Sequence, residues 1–488
     1  MPDAVDTTTR PGAPLAHTLL RPEPAVVSVP ELDPHQQSVV DHRGGPLLVL
    51  AGPGTGKTTT LVEAVVDRVE GGLRPERVLV LTFTRKAALE LRDRVTARLG
   101  RTTCTPSAWT FHSFCAALLT GWAGDDGFGS PPRLLTGPEQ DGVVRELLLG
   151  GHADEGTVAW PESLRACLDT YGFRDEVRAV LARTREAGLD PDGLARFATE
   201  TGREDWAAVA RFFAEYLDVV DAQGVVDYAD LVHRAVLLAE QPDVQAELRV
   251  RYPVVFVDEY QDTDPLQERL LRVLAGGGRD LVVVGDPDQS IYVFRGAEVR
   301  NILEFRHRFA RLDGQPARVL TLGRSRRAGE NLLAASRAVA RRMALPGLPV
   351  ETARAHRGLE AAASSPGRVD VHTFASSGAE LDWVADQIRR AHLEGGMPWD
   401  HMAVLLRSGV RAIPVVRRVL GAAGVPVEVA GDELPLASEP AVAPLLQALA
   451  AADDPSTLDQ DAARALLVSP IGGSDAGQLR RLGRLLRA

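Results

Sequence analysis

The stretch LLVLAGPGTGKTTTLVEAV, residues 47–65, joins an apolar run, a glycine-rich turn and a helix-like segment that begins at Lys57. This order predicts a buried strand, a loop and a helix. Gly52, Gly54 and Gly56 let the loop turn its backbone N–H groups onto phosphate oxygens at the start of the helix. The stretch therefore predicts an α/β domain that binds a nucleotide. The alternative is a glycine-rich turn without a ligand, and the flanking strand and helix disfavour it.

The chemistry of this loop assigns separate tasks to its side chains. Lys57 is expected to reach the β- and γ-phosphates, and Thr58 to hold Mg²⁺. The strict pattern has glycine at the position of Ala51. The predicted phosphate-binding set is Gly52, Gly54, Thr55, Gly56, Lys57, Thr58 and Thr59.

Composition bounds the class of protein. A chain of 488 residues is too long for one hydrophobic core, so several domains are expected. The net charge of −11 excludes a protein that is basic throughout, but nucleic-acid binding needs only a local positive track. Of the 55 basic side chains only Lys57 and Lys86 are lysines, and both fall in motifs. In so arginine-biased a chain, these two positions are candidate functional sites.

The sequence predicts a cytoplasmic location. No apolar run approaches the roughly 18 residues of a membrane span. Residues 1–27 lack the basic start and apolar core of a secretion signal and are predicted to form a disordered tail. The cysteines Cys104, Cys115 and Cys167 lack metal-ligand spacing and suit a reducing compartment.

The order of apolar runs predicts the domain organisation. Four runs predict buried parallel strands, at residues 46–51, 77–83, 252–259 and 280–286. Three later runs predict strands of a second α/β domain, at residues 368–374, 402–408 and 425–431. The predicted division is a first domain of residues 28–115 and 246–317, an all-helical insertion at 116–245, a second domain at 318–450 and the start of a second helical insertion at 451–488.

The motif VFVDEYQDT places Asp258 and Glu259 at the end of an apolar strand. Adjacent carboxylates there suit one ligand of Mg²⁺ and one general base for attack on a γ-phosphate. The alternative, a solvated pair of carboxylates after a strand, is common. The upstream loop that carries Lys57 favours the functional interpretation.

Two further motifs follow strands. In VVGDPDQSIYVFRGA, Gln289 can sense a γ-phosphate, while Tyr292, Phe294 and Arg295 suit stacking on bases and binding phosphate. The alternative is that both aromatic residues belong to the core.

Basic residues follow another predicted strand. LTFTRKAALELRDRV carries Phe83, Arg85 and Lys86 beyond its strand, and WTFHSF carries His112. The arginines from Arg92 to Arg101 fit a solvated helix face better than a binding site.

Together the motifs resemble those of one family. The ordered set is LDPHQQSVV (32–40), AGPGTGKT (51–58), LTFTRKAA (81–88), TFHSF (110–114), VDEYQDTDPLQ (257–267) and VGDPDQSIYVFRGA (284–297). In order and spacing it is similar to the UvrD/Rep-type superfamily 1 DNA helicases, from about Leu32 to the end of the chain. The segment DEYQDTDP and the arginine-rich segment GRSRRAGENLL most resemble those of the actinobacterial AdnA/AdnB and RecB-like branch.

The resemblance implies a fold and roles. It implies a RecA-like P-loop NTPase sheet with a helical insertion, followed by a partial second RecA-like domain. ATP and Mg²⁺ would be the cofactors, and single-stranded and duplex DNA the partners, with 3′-to-5′ translocation in DNA repair or recombination. A partner motor or nuclease subunit is a feature of the AdnA/AdnB branch.

The resemblance also implies residue roles. Gln36 would read the adenine edge, and Lys57, Thr58, Asp258, Glu259 and Gln289 would act on the phosphates as above. Set against the family's NYRS motif, Arg327 falls on the arginine that binds the γ-phosphate, and Arg326 on the tyrosine that stacks on adenine. The implied DNA contacts are Phe83, Arg85, Lys86, His112, Tyr292, Phe294 and Arg295.

The resemblance is incomplete at the carboxyl end. The family's last motifs, a second arginine for the γ-phosphate and a segment that joins DNA to ATP, are not found before Ala488. The sequence is therefore expected to be an N-terminal piece of a longer helicase, in which a nuclease would follow. Two alternatives stay open: a weakly catalytic ATP- and DNA-binding subunit of a heterodimeric motor, and a P-loop NTPase that acts on something other than DNA.

Overall fold

The structure is a computed structural model that describes residues 29–100, 107–122, 133–150, 158–292, 297–407, 409–429 and 442–486. The predicted tail, residues 1–27, lies outside this part of the chain. The strands are β1 (Pro46–Ala51), β2 (Val78–Thr82), β3 (Ser107–Thr110), β4 (Arg133–Leu134), β5 (Val225–Val226), β6 (Val254–Val257), β7 (Asp280–Gly285), β8 (Arg318–Leu322), β9 (Arg324–Ser325) and β10 (Glu360–Ala361).

Twenty α-helices are assigned within the described residues. They are α1 (Pro34–Val40), α2 (Lys57–Glu70), α3 (Arg85–Leu99), α4 (Phe111–Trp122), α5 (Gly137–Gly150), α6 (Glu162–Arg165), α7 (Tyr171–Glu186), α8 (Pro191–Thr201), α9 (Glu204–Ala222), α10 (Tyr228–Ala239), α11 (Pro242–Arg251), α12 (Pro265–Ala275), α13 (Val299–Arg308), α14 (Glu330–Ala340), α15 (Val350–Arg357), α16 (Ser377–Leu393), α17 (Gly409–Ala422), α18 (Ala443–Asp453), α19 (Gln460–Val468) and α20 (Ala476–Leu485). The chain forms two compact units, Met1–Val369 and Asp370–Ala488.

The first unit is built on a six-stranded parallel sheet in the order β3-β2-β6-β7-β1-β8. Every residue of β1 is buried, with Leu48 and Leu50 in one hydrophobic cluster and Leu47 and Val49 in another. Because side chains alternate along a strand, these two clusters are the cores on the two faces of the sheet. The predicted α/β class with a central parallel sheet is confirmed.

The topology brings distant motifs together. The glycine-rich loop follows β1, Phe83 follows β2, Asp258 follows β6 and Asp286 follows β7. Because all six strands are parallel, their carboxyl ends lie at the same edge of the sheet, where ligands bind in open α/β folds. This edge therefore holds the candidate site.

The helical insertion has a core of its own. Its buried residues run from Leu135 to Val225 and include Trp160, Phe212 and Tyr216. The helices α4, α10 and α11 pack instead into the main core, so the separate core is narrower than the predicted 116–245. The expectation of helices alone was wrong at one place, where β4 pairs in parallel with β5. A pair of two-residue strands is too short to produce an apolar run in the sequence.

An ion-paired cluster joins the insertion to the main core. Arg183 on α7 contacts Glu186 at 3.1 Å and Glu298, just before α13, at 3.3 Å. Burial, and then the nearby Asp264 carboxylate, raises the pKa of Glu186 to about 7. Burial also raises the pKa of Asp264 to about 6. Both carboxyl groups at this junction therefore keep their protons to a higher pH than exposed carboxyl groups do.

This cluster predicts how stability changes with pH. Since the pKa of Glu186 in the folded protein lies above the ordinary value of 4.5, the folded protein loses stability as the pH rises from about 4.5 to 7. Glu186→Gln removes this cost, so we expect its melting temperature at pH 8 to exceed that of the wild type by about 2 °C. At pH 4 the difference should vanish. Thermal unfolding at the two pH values measures it, with the exposed Glu176→Gln on the same helix as control. A variant that is less stable at pH 8 would contradict the assignment.

In the described residues of the second unit, the regular elements are helices. Ala385 on α16 packs with Val416 and Leu420 on α17. The described parts of the runs 368–374, 402–408 and 425–431 contain no strand, so the expectation of strands was wrong there. Residues 408, 430 and 431 lie outside the described residues. Apolar alternation favours extended backbone, but a strand also needs a hydrogen-bonded neighbour, which the local sequence does not specify.

The boundary between the two units differs from the predicted domain boundary. β8 belongs to the first sheet, and the division between the units falls after Val369, whereas the predicted second domain begins at 318. Within the described residues, none of the helices has both the length and the apolar character needed to cross a bilayer.

Candidate nucleotide and nucleic-acid site

The glycine-rich loop, residues 52–56, is closely surrounded. Gly54 and Gly56 have φ angles of 73° and 83°, which L side chains rarely adopt. A Cβ atom on Gly54 would lie 2.5 Å from the Cβ of Arg327, and one on Gly56 would lie 2.6 Å from Nε2 of Gln36. Both glycines are therefore needed for backbone geometry and for space, as the sequence predicted for a phosphate cradle.

The helix that follows this loop begins at the predicted residue. Lys57 is the first residue of α2, whose N-cap, Gly56, makes no side-chain hydrogen bond. The first backbone N–H groups of a helix lack partners within the helix and attract anions. Thr58 and Thr59 occupy the next two positions and are partly exposed. The start of α2 can therefore receive phosphate oxygens.

Lys57 lies among carboxylates. Its Nζ is 3.0 Å from Oε2 of Glu259, although the two residues are 202 positions apart. Burial, and then the charge of Glu259, raises the pKa of both Asp258 and Asp262 to about 7, and Lys57 partly opposes this. Three carboxylates thus face one ammonium group.

This excess of carboxylates over positively charged groups favours the binding of a cation. Asp258 is 6% exposed, and its Oδ1 accepts the N–H of Glu259 at 3.1 Å. A divalent cation would offset both the burial and the repulsion that raise the pKa of Asp258. The surroundings of Asp258 therefore fit its predicted role as a ligand of Mg²⁺, while the role of Thr58 stays a prediction.

Glu259 has an unusual backbone. Its φ of 51° is the only positive φ among the described residues other than glycine. A left-handed conformation costs a non-glycine residue about 1–2 kcal/mol. Such strain concentrates at functional sites, where the surrounding structure maintains it. The conformation places the Glu259 carboxylate at Lys57, and it singles out Glu259 within the DEYQDT segment.

A chain of hydrogen bonds joins Glu259 to the loop after β7. Gln261 donates through Nε2 to Glu259 Oε2 at 2.8 Å, and its Oε1 accepts the N–H of Asp286 at 2.9 Å. Gln289 donates through Nε2 to Asp286 Oδ2 at 2.5 Å. Gln289 is thus connected to the carboxylate cluster through Asp286 and Gln261.

The residues predicted for the base and the γ-phosphate also meet the glycine-rich loop. Gln36 donates to the carbonyl of Thr55 at 3.1 Å, and its Oε1 accepts from Arg326 at 3.0 Å. The backbone N–H of Arg326 donates to Gly54 at 2.8 Å. Arg327 is exposed, and within the described residues no carboxylate pairs with its guanidinium. Arg326 thus lies beside Gln36, in the region assigned to the base.

Two predicted DNA contacts stack on each other. The rings of Phe83 and Tyr292 have centroids 5.0 Å apart and planes inclined by 26°. Both residues are partly exposed, which disfavours the core alternative for Tyr292. Phe294 and Arg295 lie outside the described residues.

His112 and the basic residues lie at the same edge. The His112 ring meets Tyr228 edge-on at 5.4 Å. Burial, and then the charge of Arg85, lowers the pKa of His112. Arg85 and Lys86 begin α3 and are exposed. This part of the edge therefore carries positive charge in a protein whose net charge is negative.

Several residues that shape the site were not predicted from the sequence. Gln261 lies within the quoted DEYQDT motif and was given no role. His356 and Arg357 contact Asp286 and Asp288, and no motif marks them. A single histidine on a helix carries no sequence signal, because what distinguishes it is a contact 70 residues away.

Comparison with known proteins agrees with this geometry. Residues 32–310 match the family described as UvrD/REP helicase N-terminal domain. The chain is 30% identical to the ATP-dependent DNA helicase UvrD1 of Mycobacterium bovis over 421 residues, 84% of this chain and 51% of that protein. It is 27% identical to the ATP-dependent DNA helicase PcrA of Staphylococcus epidermidis over 386 residues, 79% of this chain and 49% of that protein. The chain spans about half the length of the curated relatives it matches. From the family match and the motif geometry together, the chain belongs to the UvrD/REP helicase family.

Proposed function

We propose that the protein is an ATP-hydrolysing DNA helicase motor that moves along single-stranded DNA, with ATP and Mg²⁺ as cofactors. The observation that carries the proposal is the connection along one sheet edge. Hydrogen bonds of Gln261 connect the Lys57–Glu259 pair to Asp286, which lies on the loop after β7. The same loop carries Tyr292, which stacks on Phe83. One loop thus borders both a phosphate site and an aromatic platform.

For hydrolysis, each residue has a proposed task. The glycine-rich loop and the start of α2 bind the phosphates, and Lys57 leaves Glu259 to contact the β- and γ-phosphates. Glu259, once freed, accepts the proton of the water that attacks the γ-phosphorus, while the bond to the β–γ bridging oxygen breaks. Thr58 and Asp258 would hold Mg²⁺, which would supply positive charge to the phosphates. Arg327 adds a charge on the γ-phosphate, and Gln289 senses its presence.

For movement, bases stack on Phe83 and Tyr292, and backbone phosphates contact Arg85 and Lys86. Aromatic stacking contributes about 1–3 kcal/mol per base without reading sequence. His112, Phe294 and Arg295 are the remaining proposed DNA contacts. When ATP is hydrolysed, Gln289 moves the loop that carries Tyr292, so that the strand is released and bound again.

The finer assignments rest on the family resemblance. We propose 3′-to-5′ translocation in DNA repair or recombination, a position near the AdnA/AdnB and RecB-like branch, and a partner motor or nuclease subunit. We also propose that the chain from 318 onward contributes to a second RecA-like domain, with 451–488 starting a second helical insertion. A cytoplasmic location fits the cysteine usage.

One observation favours a second candidate, a weakly catalytic subunit of a heterodimeric motor. Both polar atoms of Gln36 are engaged within the protein, one by Thr55 and one by Arg326. Arg326 also occupies the position of the family's adenine-stacking tyrosine. Nucleotide binding must displace the Arg326 contact for Gln36 to read a base, which would weaken ATP binding in this subunit.

ATP hydrolysis measured with and without single-stranded DNA tests the proposal. A motor hydrolyses ATP, and the strand stimulates turnover. ATP binding without turnover in either condition would support the weakly catalytic subunit. Turnover at the same rate with and without DNA would support an NTPase with another target.

The aromatic platform yields a separate prediction. Phe83→Ala removes one face of the stack with Tyr292, so we expect affinity for single-stranded DNA to fall by about 5- to 100-fold, as loss of stacking on one base would cause. Fluorescence anisotropy with a labelled oligonucleotide measures it. The matched control is Phe197→Ala, which removes an exposed ring of the Phe197–Trp206 pair in the insertion. Equal affinities of the two variants would rule out the platform.

A further inference from the structure

The segment HRGLEAA, residues 356–362, comprises the last two residues of α15 and the five residues that follow, and it belongs to none of the motifs above. It also lies beyond residues 32–310, which the family match covers. We call this segment the brace. It contacts three separate parts of the proposed ATP site.

The first contact holds the loop after β7. His356 is 2% exposed, and its Nε2 donates to Asp286 Oδ1 at 3.0 Å. Arg357 donates through Nε to Asp288 Oδ2 at 2.8 Å and through Nη2 to Oδ1 at 2.6 Å. Such a two-point charged contact fixes orientation as well as distance. The brace therefore contacts the loop that carries Gln289 at two residues, Asp286 and Asp288. The amide of Gln289 itself donates to Asp286.

The second contact is with the glycine-rich loop. The side chain of Leu359 is 7% exposed, and its Cδ1 lies 2.7 Å from where a Cβ on Gly52 would be. Only a glycine lets Leu359 approach so closely. The start of the glycine-rich loop thus packs on the brace.

The third contact is with the arginine segment. β10 pairs in parallel with β9, so that Glu360 is opposite Arg324 and Ala361 is opposite Ser325. The backbone of Ala362 donates to the carbonyl of Ser325 at 2.8 Å. Arg326 and Arg327 follow this paired strand directly, so the brace also sets where they leave the sheet edge.

A different reading of the same side chains is a metal site. Ligand atoms of Asp286, Asp288 and His356 lie within 4.8 Å of one another. However, both oxygens of Asp288 are already held by Arg357, and both oxygens of Asp286 accept hydrogen bonds from His356 and Gln289. The two carboxylates are thus satisfied by the protein, and a positioning role accounts for all four contacts.

A cavity of about 80 Å³ beside Gln289 separates this loop from α14. Its lining includes Gly52, Asp286, His356 and Leu359. Beside this cavity, the polar contacts of His356 and Arg357 restrain the loop.

We infer that His356 and Arg357 are positioning residues, which fix the loop carrying Gln289 against the glycine-rich loop for ATP hydrolysis. This inference rests on the proposed function, since it assigns the two residues to the same site. Arg357 touches neither the proposed base site at Gln36 nor Lys57. Its loss should therefore lower the rate of hydrolysis more than the affinity for ATP.

The test compares Arg357→Ala and His356→Ala with the control Arg354→Ala, an exposed residue on the same helix. In each brace variant we expect DNA-stimulated kcat to fall about tenfold, as loss of one charged or buried hydrogen bond would cause, while KM for ATP changes less than about twofold. Arg357→Lys should restore part of the rate. Adding Asp288→Asn to Arg357→Ala should cause no further loss, because both changes remove one contact. Additive losses would place the effect of Arg357 elsewhere and overturn the inference.

A second readout does not depend on activity. In nucleotide-free protein, amide hydrogen exchange of residues 284–292 and 323–327 should be about tenfold faster in Arg357→Ala than in the wild type, because the opening free energy of the held loops falls by one charged contact. Unchanged exchange in both peptides would overturn the brace even if the wild type hydrolyses ATP. If the wild type hydrolyses none, the proposed function fails, and the exchange rates still decide the brace.

Discussion

Replacing Lys57 by alanine should abolish ATP hydrolysis, with turnover falling by about 10²- to 10³-fold, the usual cost of removing one preorganised charge from a reacting group. Lys57 is the cation that faces Asp258, Glu259 and Asp262. Without it, the phosphates of ATP would have to approach three carboxylates that no side chain neutralises.

The measurement is the steady-state rate of phosphate release with single-stranded DNA at saturation. The control is Arg145→Ala, which removes an exposed positive charge from α5 in the insertion and should leave turnover unchanged. Thermal unfolding of both variants separates lost chemistry from lost folding. A Lys57→Ala protein that is folded and keeps more than a tenth of the wild-type rate would contradict the proposed phosphate contact.

Replacing Glu259 by glutamine should separate binding from chemistry. The amide keeps the size of the side chain but cannot accept a proton from water, so we expect kcat to fall by about 10²- to 10⁴-fold. Nucleotide binding should be retained or strengthened, because one negative charge has been removed from beside the phosphates.

Binding of a fluorescent ATP analogue and the rate of phosphate release measure the two effects independently. Glu247→Gln, an exposed change on α11, is the matched control. If Glu259→Gln stays within tenfold of the wild-type rate, Glu259 is not the general base. Asp262, whose pKa is raised by burial and by Glu259, would then be the carboxylate to test next.

The sequence predicted those parts of the fold that depend on the order of apolar, polar and glycine residues within one short segment. The run at 46–51 is apolar at every position because β1 is covered on both faces, and its bounds agree with the structure. The start of α2 at Lys57 follows from the glycine-rich turn before it. Such features need no knowledge of distant partners.

The features that were missed depend on distant partners. The stretch 402–408 is apolar like β1, yet Leu405 is 92% exposed and no described strand pairs with it. The contact between His356 and Asp286 likewise spans 70 residues, and the pairing of β10 with β9, which helps to place the His356 segment, is not visible in the local sequence either. The motifs led to a proposed set of site residues, while the contacts that His356 and Arg357 make with Asp286 and Asp288 became visible only in the structure.

In the proposed motor, ATP and the DNA strand act on one connected loop. The most direct measurement is the affinity of the protein for a labelled single-stranded oligonucleotide in three states: without nucleotide, with a non-hydrolysable ATP analogue and with ADP. The account predicts at least a fivefold difference between the analogue and ADP states, as expected for coupling of about 1 kcal/mol or more between sites. Gln289→Ala should reduce this difference without removing binding. Equal affinities in all three states, with nucleotide binding verified in each, would contradict the account.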